Sequence, residues 1–361
     1  MNITIVGIGN AGTAVGADLT RKGHDVTFLK TSNKLHNDNY EFIKKNRKIY
    51  VDDLDKKYEV NIRNVTENYK EAISNAEVII IFVQTNYHCD VIEKMIEYLT
   101  DGQTIIIEPG YLSSCYFINK THADITIIEA ESSPIDCRVT SPGHVKVLFK
   151  NVCNPFGVFP CSHHLLARDV LDALDFPYMI TKNVIEAALH NPNLIVHTIG
   201  AIFSIPRIEK THGEYWMYKE VFTPHIWNLV TELDKEKMSI LKKLGCQEIP
   251  YVEACKKRNS LDENEDAMEV FFEYANNSSP KGPSVPDSRY ITEDVSQGLV
   301  LLESLGQVMD IETPVTTGLI NCASALIQTD FRKTGRTINK LERKNIDLIL
   351  EDYDNYIIHK M

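Results

Sequence analysis

The chain has 361 residues, of which 43% are hydrophobic and 24% are charged. This length is too great for one ordinary hydrophobic core, so we expect two domains. The composition excludes a disordered chain, a collagen-like chain and a disulfide-stabilised miniprotein. The formal net charge of -12 disfavours binding to nucleic acid, because an acidic chain repels the phosphate backbone.

The 8 cysteines are scattered along the chain and never form a C-x-x-C pair. This pattern favours free thiols in a reducing compartment over a disulfide framework, and it predicts no metal site. The chain begins with a β-rich run instead of a basic signal segment, and its longest apolar run, residues 78–83, is too short to cross a bilayer. We therefore expect a cytoplasmic protein with no membrane partner.

Short β-rich runs alternate with helical patterns in the first half of the chain. A helix over residues 13–22 separates the first two runs, and the runs at 145–149 and 155–159 are predicted to close the domain. The predicted strands before those two cover residues 3–6, 25–29, 78–83, 104–107 and 125–128. The alternation predicts βαβ units, and hence an α/β fold with a Rossmann-type, doubly wound parallel sheet over residues 1–180.

Helical periodicity dominates from about residue 183 onward. The predicted helices cover residues 184–203, 223–244, 266–274, 292–309 and 314–326. The loop 276–289 is rich in Ser, Pro and Gly, and a loop of this length is predicted to be ordered over a functional site. We therefore expect residues 181–361 to form an all-helical substrate domain, with the active site between the two domains.

A glycine motif lies between the first predicted strand and the first predicted helix. It fits the pattern GxGxxG and reads Gly7-Ile8-Gly9-Asn10-Ala11-Gly12. Gly7 allows a tight turn, Gly9 lets the backbone approach a pyrophosphate, and Gly12 lets helix and strand pack closely. A glycine-rich turn without a ligand is the alternative, but the strand before it and the helix after it favour dinucleotide binding by Gly7, Gly9, Asn10, Ala11 and Gly12.

The end of the second predicted strand bears on the choice between NAD and NADP. An acidic residue at this place would bind a ribose 2′-hydroxyl and repel a 2′-phosphate. The sequence Leu29-Lys30-Thr31-Ser32-Asn33-Lys34 contains no acid. Thr31 and Ser32 can donate hydrogen bonds, and Lys30 or Lys34 can add positive charge. The segment favours NADP over NAD, although solvated surface lysines would give the same pattern.

Two further segments follow predicted strands at their carboxyl ends, where parallel sheets bind ligands. Gln84 and Thr85 follow the strand 78–83, and Tyr111 follows the strand 104–107. We expect these residues to face the nicotinamide end of the cofactor. Ordinary turn chemistry accounts for them equally well.

Several polar residues in the helical half have the spacing of a site. Asn193 and His197 lie four residues apart and share one helix face. Arg289 and Asp294 flank a predicted helix start with Thr292 as its N-cap. From the residues alone, a core histidine and helix-dipole acids explain the pattern as well. The aromatic-rich stretch around Tyr218 fits either core packing or a pocket wall.

The motifs taken together are more specific than any one of them. They are the sequence GIGNAG, Glu129-Ala130-Glu131 with Cys137-Arg138, His190-Asn191-Pro192-Asn193 leading to His197, the stretch 215–244, and Arg289-Tyr290-Ile291-Thr292-Glu293-Asp294-Val295. Over nearly its whole length the chain resembles the opine dehydrogenase family, related to octopine and nopaline dehydrogenases. The resemblance implies that an amino acid or other amine condenses with a 2-oxo acid such as pyruvate. The imine is then reduced with NAD(P)H to an N-(1-carboxyalkyl) amino acid.

The same resemblance implies roles for individual residues. His197 maps onto the catalytic histidine, Asp294 onto the acid that orients it, and Asn193 onto a nearby helix amide. Arg289 maps onto an anchor for a substrate carboxylate. Independently of the resemblance, Tyr111 is predicted to line the substrate pocket from its place after a strand, and Tyr218 from its aromatic-rich stretch. A histidine titrates near neutrality and can transfer protons, and the planar fork of an arginine matches a carboxylate. The resemblance leaves both a monomer and a homodimer open.

Two alternative functions share parts of this pattern. A ketopantoate-type or 2-hydroxy-acid reductase has the same architecture, but it depends on a lysine near the nicotinamide, and no convincing equivalent stands in the second half. A non-catalytic NADP-sensing protein is the other alternative. A sensor has no need of His197, Asp294 and Arg289 together.

Overall fold

The computed structural model of the chain describes residues 1–32 and 35–360. The chain forms two compact units. The first contains residues 1–184 together with the segment from residue 351 onward, and the second contains residues 185–350. The sequence predicts a division at residue 180 and assigns all residues from 181 onward to the helical domain. In the structure, the residues from 351 onward belong to the first unit.

The strands of the described chain all lie in the first unit. They are β1 Asn2–Val6, β2 Asp25–Leu29, β3 Lys48–Asp53, β4 Lys56–Asn61, β5 Asn64–Thr66, β6 Val78–Ile81, β7 Thr104–Ile107, β8 Thr126–Ala130, β9 Ile135–Ser141, β10 His144–Lys150, β11 Asn154–Phe159 and β12 Tyr178–Ile180. The main sheet has 8 strands in the order β12-β11-β8-β7-β6-β1-β2-β5. The core pairs β1–β2, β1–β6, β6–β7 and β7–β8 are parallel, and β11 runs antiparallel to β8.

The central strands are buried on both faces, as their unbroken β-branched sequences predict. Every residue of β6 and of β7 is buried, and the two faces of the sheet belong to two separate hydrophobic clusters. The Rossmann-type α/β fold predicted for this half is confirmed. The predicted strand 145–149 corresponds to β10. It was expected to close the main sheet, but β10 belongs to a separate 4-stranded sheet with the order β4-β3-β10-β9.

The helices of the first unit cover the main sheet and frame its carboxyl edge. They are α1 Asn10–Arg21, α2 Asn37–Asn46, α3 Tyr69–Ile73, α4 His88–Met95, α5 His164–Leu174 and the start of α6 Val184–Leu189. The segment from residue 351 packs here as well. The Asp352 carboxylate accepts a hydrogen bond from the Cys161 amide at 2.7 Å, and the Lys182 ammonium lies 5.0 Å from the centre of the Tyr353 ring.

Among the described residues, the regular secondary structure of the second unit is entirely helical. Its helices are α7 Asn193–Thr211, α8 Met217–Glu220, α9 Pro224–Lys243, α10 Tyr251–Asn259, α11 Ala267–Asn277, α12 Arg289–Thr292, α13 Val300–Met309, α14 Pro314–Ile327, α15 Phe331–Thr334, α16 Ile338–Leu341 and the first part of α17 Arg343–Lys360. The predicted helices 223–244, 266–274 and 314–326 match α9, α11 and α14 closely. Within the ranges that the structure describes, no helix has the length and apolar character needed to span a membrane.

Two predicted helices are interrupted in the structure. The predicted helix 184–203 is broken before Pro192, because proline disfavours helical backbone in the residue that precedes it. The predicted helix 292–309 becomes α12, a π-helical segment Asp294–Leu299, and α13. Thr292 is not the predicted N-cap. It ends α12, and its hydroxyl donates to the Ser288 carbonyl oxygen at 3.1 Å.

Candidate active site

The glycine turn has the strained and close-packed geometry that only glycine permits. Gly7 has a φ of +107°, and a Cβ on Gly12 would lie 2.1 Å from the Gly7 carbonyl oxygen. Gly9 precedes α1 in extended conformation, and no described side chain caps the helix there by a hydrogen bond. The first turn of α1 therefore presents the N–H groups of Asn10, Ala11 and Gly12 in the arrangement that binds anions.

Two asparagine side chains join this turn to the 4-stranded sheet. The Asn10 Oδ1 accepts from the Val139 amide at 2.8 Å. The Asn39 amide nitrogen donates to the Ile8 carbonyl oxygen at 3.1 Å, and the Asn39 Oδ1 accepts from the Gly143 amide at 2.8 Å. Asn10 therefore offers a ligand its backbone, since its side chain supports the turn. The sequence analysis did not identify Asn39, which lies in a helix that it did not predict.

The segment after β2 differs in part from the prediction. Thr31 is half-buried and Ser32 is exposed, as donors to a ligand would be, and Lys34 lies outside the described residues. The Lys30 ammonium donates to the Leu35 carbonyl oxygen and lies 5.9 Å from the Tyr40 ring centre. Lys30 is thus buried, and burial lowers the pKa of its ammonium.

A histidine that the sequence analysis missed lies beside the glycine turn. The Nε2 of His36 is 3.4 Å from the position that a Cβ on Gly9 would take. Burial, and then the Lys30 charge, lower the pKa of His36. No carboxylate follows β2, and an imidazole stands at the turn instead. The choice of NADP over NAD stays a prediction.

The loops at the carboxyl ends of β6 and β7 are held together by a buried histidine. His88 Nδ1 lies 2.7 Å from the Ser113 hydroxyl, and its Nε2 lies 3.1 Å from the Val83 carbonyl oxygen. Gln84 is half-buried beside this contact and Thr85 is buried. Gln84 and Thr85, which are predicted to face the nicotinamide, therefore lie at a carboxyl edge of the sheet that His88 holds in place. His88 carried no motif that would have singled it out.

Tyr111 lies in the loop after β7 in a left-handed conformation, with a φ of +51°. Its side chain is buried. The carboxylate of Glu129 accepts hydrogen bonds from the Leu112 amide at 2.8 Å and the Ser114 amide at 2.6 Å. The buried Glu129 thus fixes the loop, and the predicted substrate contact of Tyr111 stays a prediction.

The second unit brings together the two residues that the sequence placed almost a hundred positions apart. His197 Nδ1 lies 2.8 Å from the Asp294 Oδ2, with side chains that are 6% and 2% exposed. A carboxylate can only accept, so His197 donates its Nδ1–H. This bond fixes the tautomer in which Nε2 is the basic nitrogen of the neutral ring. The arrangement is that of a general acid and base oriented by a carboxylate.

The histidine ring is also held by a tyrosine that the sequence analysis did not single out. The rings of His197 and Tyr290 stack with centroids 3.6 Å apart and an interplanar angle of 8°. The Arg289 guanidinium lies 5.7 Å from the centre of the Tyr290 ring. Arg289 is 45% exposed, and it pairs with Glu293 of its own helical turn at 3.3 Å. An exposed cation thus lies near the buried dyad.

Two other predicted residues have different surroundings. Asn193 is the first residue of α7, one helical turn before His197. Its backbone N–H donates a hydrogen bond to the Asn191 Oδ1 at 2.9 Å. Tyr218 is buried in an aromatic cluster, with ring centroids 5.9 Å from Phe222 and 5.5 Å from Tyr274. The cluster favours core packing for Tyr218 over the predicted pocket role. In the part of the chain that the structure describes, no three His, Cys, Asp or Glu side chains are grouped to hold a metal ion.

Two family models match the chain. The model for the NAD/NADP octopine/nopaline dehydrogenase alpha-helical domain matches residues 180–327. The model for ketopantoate reductase PanE/ApbA matches residues 3–108. The helical half therefore resembles octopine and nopaline dehydrogenases, while the nucleotide-binding part is of a type shared with ketopantoate reductases.

Characterised relatives and solved structures agree with the first of these matches. The chain is 29% identical to an opine dehydrogenase from Arthrobacter sp. (strain 1C), over 77% of this chain and 78% of that protein. It is 25% identical to the protein ocs of Agrobacterium tumefaciens (strain Ach5), over 76% of this chain and 77% of that protein. A structure of octopine dehydrogenase in complex with NADH and agmatine has a TM-score of 0.75 at 18% identity, covering 97% of this chain and 98% of that chain. The resemblance stated from the motifs, and the fold class, are confirmed.

Proposed function

We propose that this chain, whose helical half matches the octopine and nopaline dehydrogenase domain, is an NAD(P)-dependent opine dehydrogenase. It is an oxidoreductase that joins an amino acid or other amine to a 2-oxo acid and reduces the resulting imine. The 29% identity to an opine dehydrogenase over 77% of the chain supports this activity. The observation that carries the proposal is the buried His197–Asp294 pair in the matched domain.

The glycine turn would hold the cofactor. The N–H groups at the start of α1 would bind the pyrophosphate, and Gly9 would let it approach the backbone. When bound, the reduced nicotinamide supplies the hydride that reduces the imine carbon. The protein's task is then to bind the substrates, exclude water and manage protons.

The dyad would perform the proton transfers of the condensation. An amine that adds to a 2-oxo acid gives a carbinolamine, whose hydroxyl must gain a proton before it leaves as water. The same reaction requires that the nitrogen lose a proton. Nε2 of His197 would accept and return these protons, and the Asp294 carboxylate would stabilise the imidazolium that forms in between. A positioned group of this kind typically contributes about 10²–10⁴-fold in rate.

Arg289 would bind a substrate carboxylate. A 2-oxo acid and an amino acid each carry a carboxylate, and the guanidinium can bind one with two parallel hydrogen bonds. Arg289 is half-exposed and lies on Tyr290, which stacks on His197. A carboxylate bound there would replace Glu293 as the partner of Arg289 and would lie beside the dyad. Pyruvate is the oxo acid that we propose.

NADP is the cofactor that we propose over NAD. The absence of a carboxylate after β2 supports this choice. The position of His36 beside Gly9 supports it as well, since even a neutral imidazole can donate a hydrogen bond to a phosphate oxygen. We also propose the reducing, cytoplasmic location that the scattered cysteines predict. We propose no metal.

The decisive experiment is a matrix of amino acids against 2-oxo acids with NADPH and NADH. Oxidation of the cofactor is followed by absorbance, and the products are identified by mass spectrometry. We expect turnover only when amine and oxo acid are both present, with a secondary amine as product. Full turnover with the oxo acid alone would establish a ketopantoate-type carbonyl reductase. Tight NADPH binding without turnover across the matrix would establish a sensor.

A further inference from the structure

Glu108 directly follows β7, and its buried carboxyl group has no hydrogen-bond partner among the described residues. Its amide donates to the Ile81 carbonyl oxygen at 3.1 Å, so its backbone continues the ladder between β6 and β7. The residue is 3% exposed. Among the residues that the structure describes, neither carboxyl oxygen has a hydrogen-bond partner. Buried polar groups are almost always paired, so such a group needs an explanation.

The alternation of β7 places Glu108 on a defined face of the main sheet. Ile105 and Ile107 belong to the hydrophobic cluster that contains residues of α4, and Ile106 belongs to the cluster that contains residues of α1. Successive side chains of a strand point to opposite faces, and the Glu108 amide still bonds to β6, so the alternation places Glu108 with Ile106 on the face against which α1 and α5 pack. Glu108 thus lies at the carboxyl edge of the sheet, on the side of the helix that the glycine turn begins. Dinucleotides bind along this edge.

The loop that follows Glu108 is held by hydrogen bonds. The Ser113 hydroxyl donates to the Gly110 carbonyl oxygen at 2.7 Å, and the Gly110 amide donates to the Ala130 carbonyl oxygen at 3.0 Å. Glu129, on the neighbouring strand, shows the ordinary case, because amides of the same loop bind its carboxylate. The same loop supplies no donor to Glu108. An unpaired group held in a rigid place points to a ligand that completes it.

The chemistry of the carboxyl group decides which ligand it fits. Burial raises the pKa of Glu108 well above its ordinary value, and no cation of the described residues pairs with it. The neutral form offers one donor and one acceptor. A primary carboxamide offers the complementary acceptor and donor, so the two groups can form a pair of hydrogen bonds. A substrate ammonium would instead require the ionised carboxylate.

We propose that Glu108 binds a primary carboxamide, and that this is the carboxamide of the nicotinamide ring. The inference rests on the proposed function, since it assumes a nicotinamide dinucleotide at this edge. Glu108 is then a binding residue that fixes the orientation of the ring. It also explains why a buried carboxyl group is retained where a leucine would stabilise the fold.

The test compares two ligands that differ only in the carboxamide. They are NADP⁺ and its 3-acetylpyridine analogue, in which a methyl group replaces the NH₂. Dissociation constants are measured by calorimetry for the native protein, Glu108→Leu, Glu108→Gln and the exposed control Glu97→Leu. We expect the native protein to bind NADP⁺ about tenfold more tightly than the analogue, because the analogue leaves the Glu108 acceptor unpaired. Glu108→Leu should abolish this preference, while Glu108→Gln and Glu97→Leu should keep it.

Thermal unfolding without ligand shows whether each variant is folded. Glu108→Leu should raise the Tm by about 2–4 °C, because it removes an unpaired buried group. A folded Glu108→Leu that still prefers NADP⁺ about tenfold would overturn the inference and leave the proposed function intact. A Glu108→Leu variant in which only the KM of the amine changes would also overturn the inference and leave the proposed function intact. If the native protein binds neither NADP⁺ nor NAD⁺, the proposed function fails together with the inference.

Discussion

Replacing Asp294 with asparagine tests the dyad with almost no change of shape. The Asp294 oxygen lies 2.8 Å from His197 Nδ1, and both side chains are nearly excluded from water. Two unit charges about 4 Å apart attract by about 4 kcal/mol at an effective dielectric constant of about 20. A neutral hydrogen bond that takes the place of this attraction contributes about 1 kcal/mol. The imidazolium of His197 would therefore lose about 3 kcal/mol of stabilisation in Asp294→Asn, which corresponds to about 10²-fold in rate.

The assay is steady-state turnover with the substrate pair that the matrix identifies. We expect kcat to fall by about 10²–10³-fold in Asp294→Asn, while the dissociation constant of NADPH stays within about threefold of the native value. Asp347→Asn is the matched control, because Asp347 pairs with Arg343 on the exposed surface of the same unit. Such surface pairs contribute little, so this control should keep the native kcat.

Two results would refute the reasoning. A folded Asp294→Asn enzyme with a kcat within about threefold of the native value would show that the carboxylate does not support proton transfer. An equal loss of kcat in Asp347→Asn would show that the effect belongs to any charge removed from this unit. Thermal unfolding of both variants separates these outcomes from a loss of structure.

Three further predictions concern cofactor binding and stability. Gly12→Ala should abolish NADPH binding and lower the Tm, because its Cβ would lie 2.1 Å from the Gly7 carbonyl oxygen; calorimetry and thermal unfolding measure the two effects. His36→Ala should weaken NADPH binding more than NADH binding, and the difference should grow as the pH falls below the ordinary histidine range, since burial lowers the pKa of His36 and delays its protonation; equal loss for both cofactors at every pH would contradict a contact with the 2′-phosphate. Burial, followed by the Lys237 charge, lowers the pKa of His190 to about 3, so only the unfolded chain gains this proton as the pH falls below about 6.5. The native protein should lose up to about 1.4 kcal/mol of unfolding free energy per pH unit between about pH 6.5 and pH 3, and denaturant titrations of His190→Gln should show a flatter slope there.

The sequence predicted the main sheet well, because its signals are local. Continuous β-branched runs such as 78–81 and 104–107 can be satisfied only as strands buried on both faces. The glycine motif was predictable for the same reason, since the turn has no room for a side chain at positions such as Gly12. The 4-stranded sheet was largely missed. Its strand Lys48–Asp53 alternates buried and half-buried residues, and the sequence KIYVDD does not distinguish such a strand from a loop.

The site residues were predicted unequally. His197 and Asp294 came from the family resemblance, since nothing local links residues that are 97 positions apart. His88 and Glu108 belong to no motif, and Tyr290 was named only as a member of a motif, without a role of its own. The importance of all three lies in what surrounds them. A stacked ring, a bridge between two loops and an unpaired carboxyl are properties of the folded chain alone. Asn39 was missed because a hydrogen bond to Gly143 becomes visible only when the second sheet is known.

The π-helical segment explains why periodicity could not place Asp294. In a regular helix from 292 to 309, residues three or four positions apart would share a face along the whole length. The wider turns of the π-helical segment Asp294–Leu299 change the angular position of the residues before it relative to α13. Such turns are less stable than α-helix and occur frequently at functional sites. Here the segment begins at the residue that orients His197. In a regular helix the Asp294 side chain would have a different angular position relative to α13, so the π-helical turns contribute to the direction of its carboxylate.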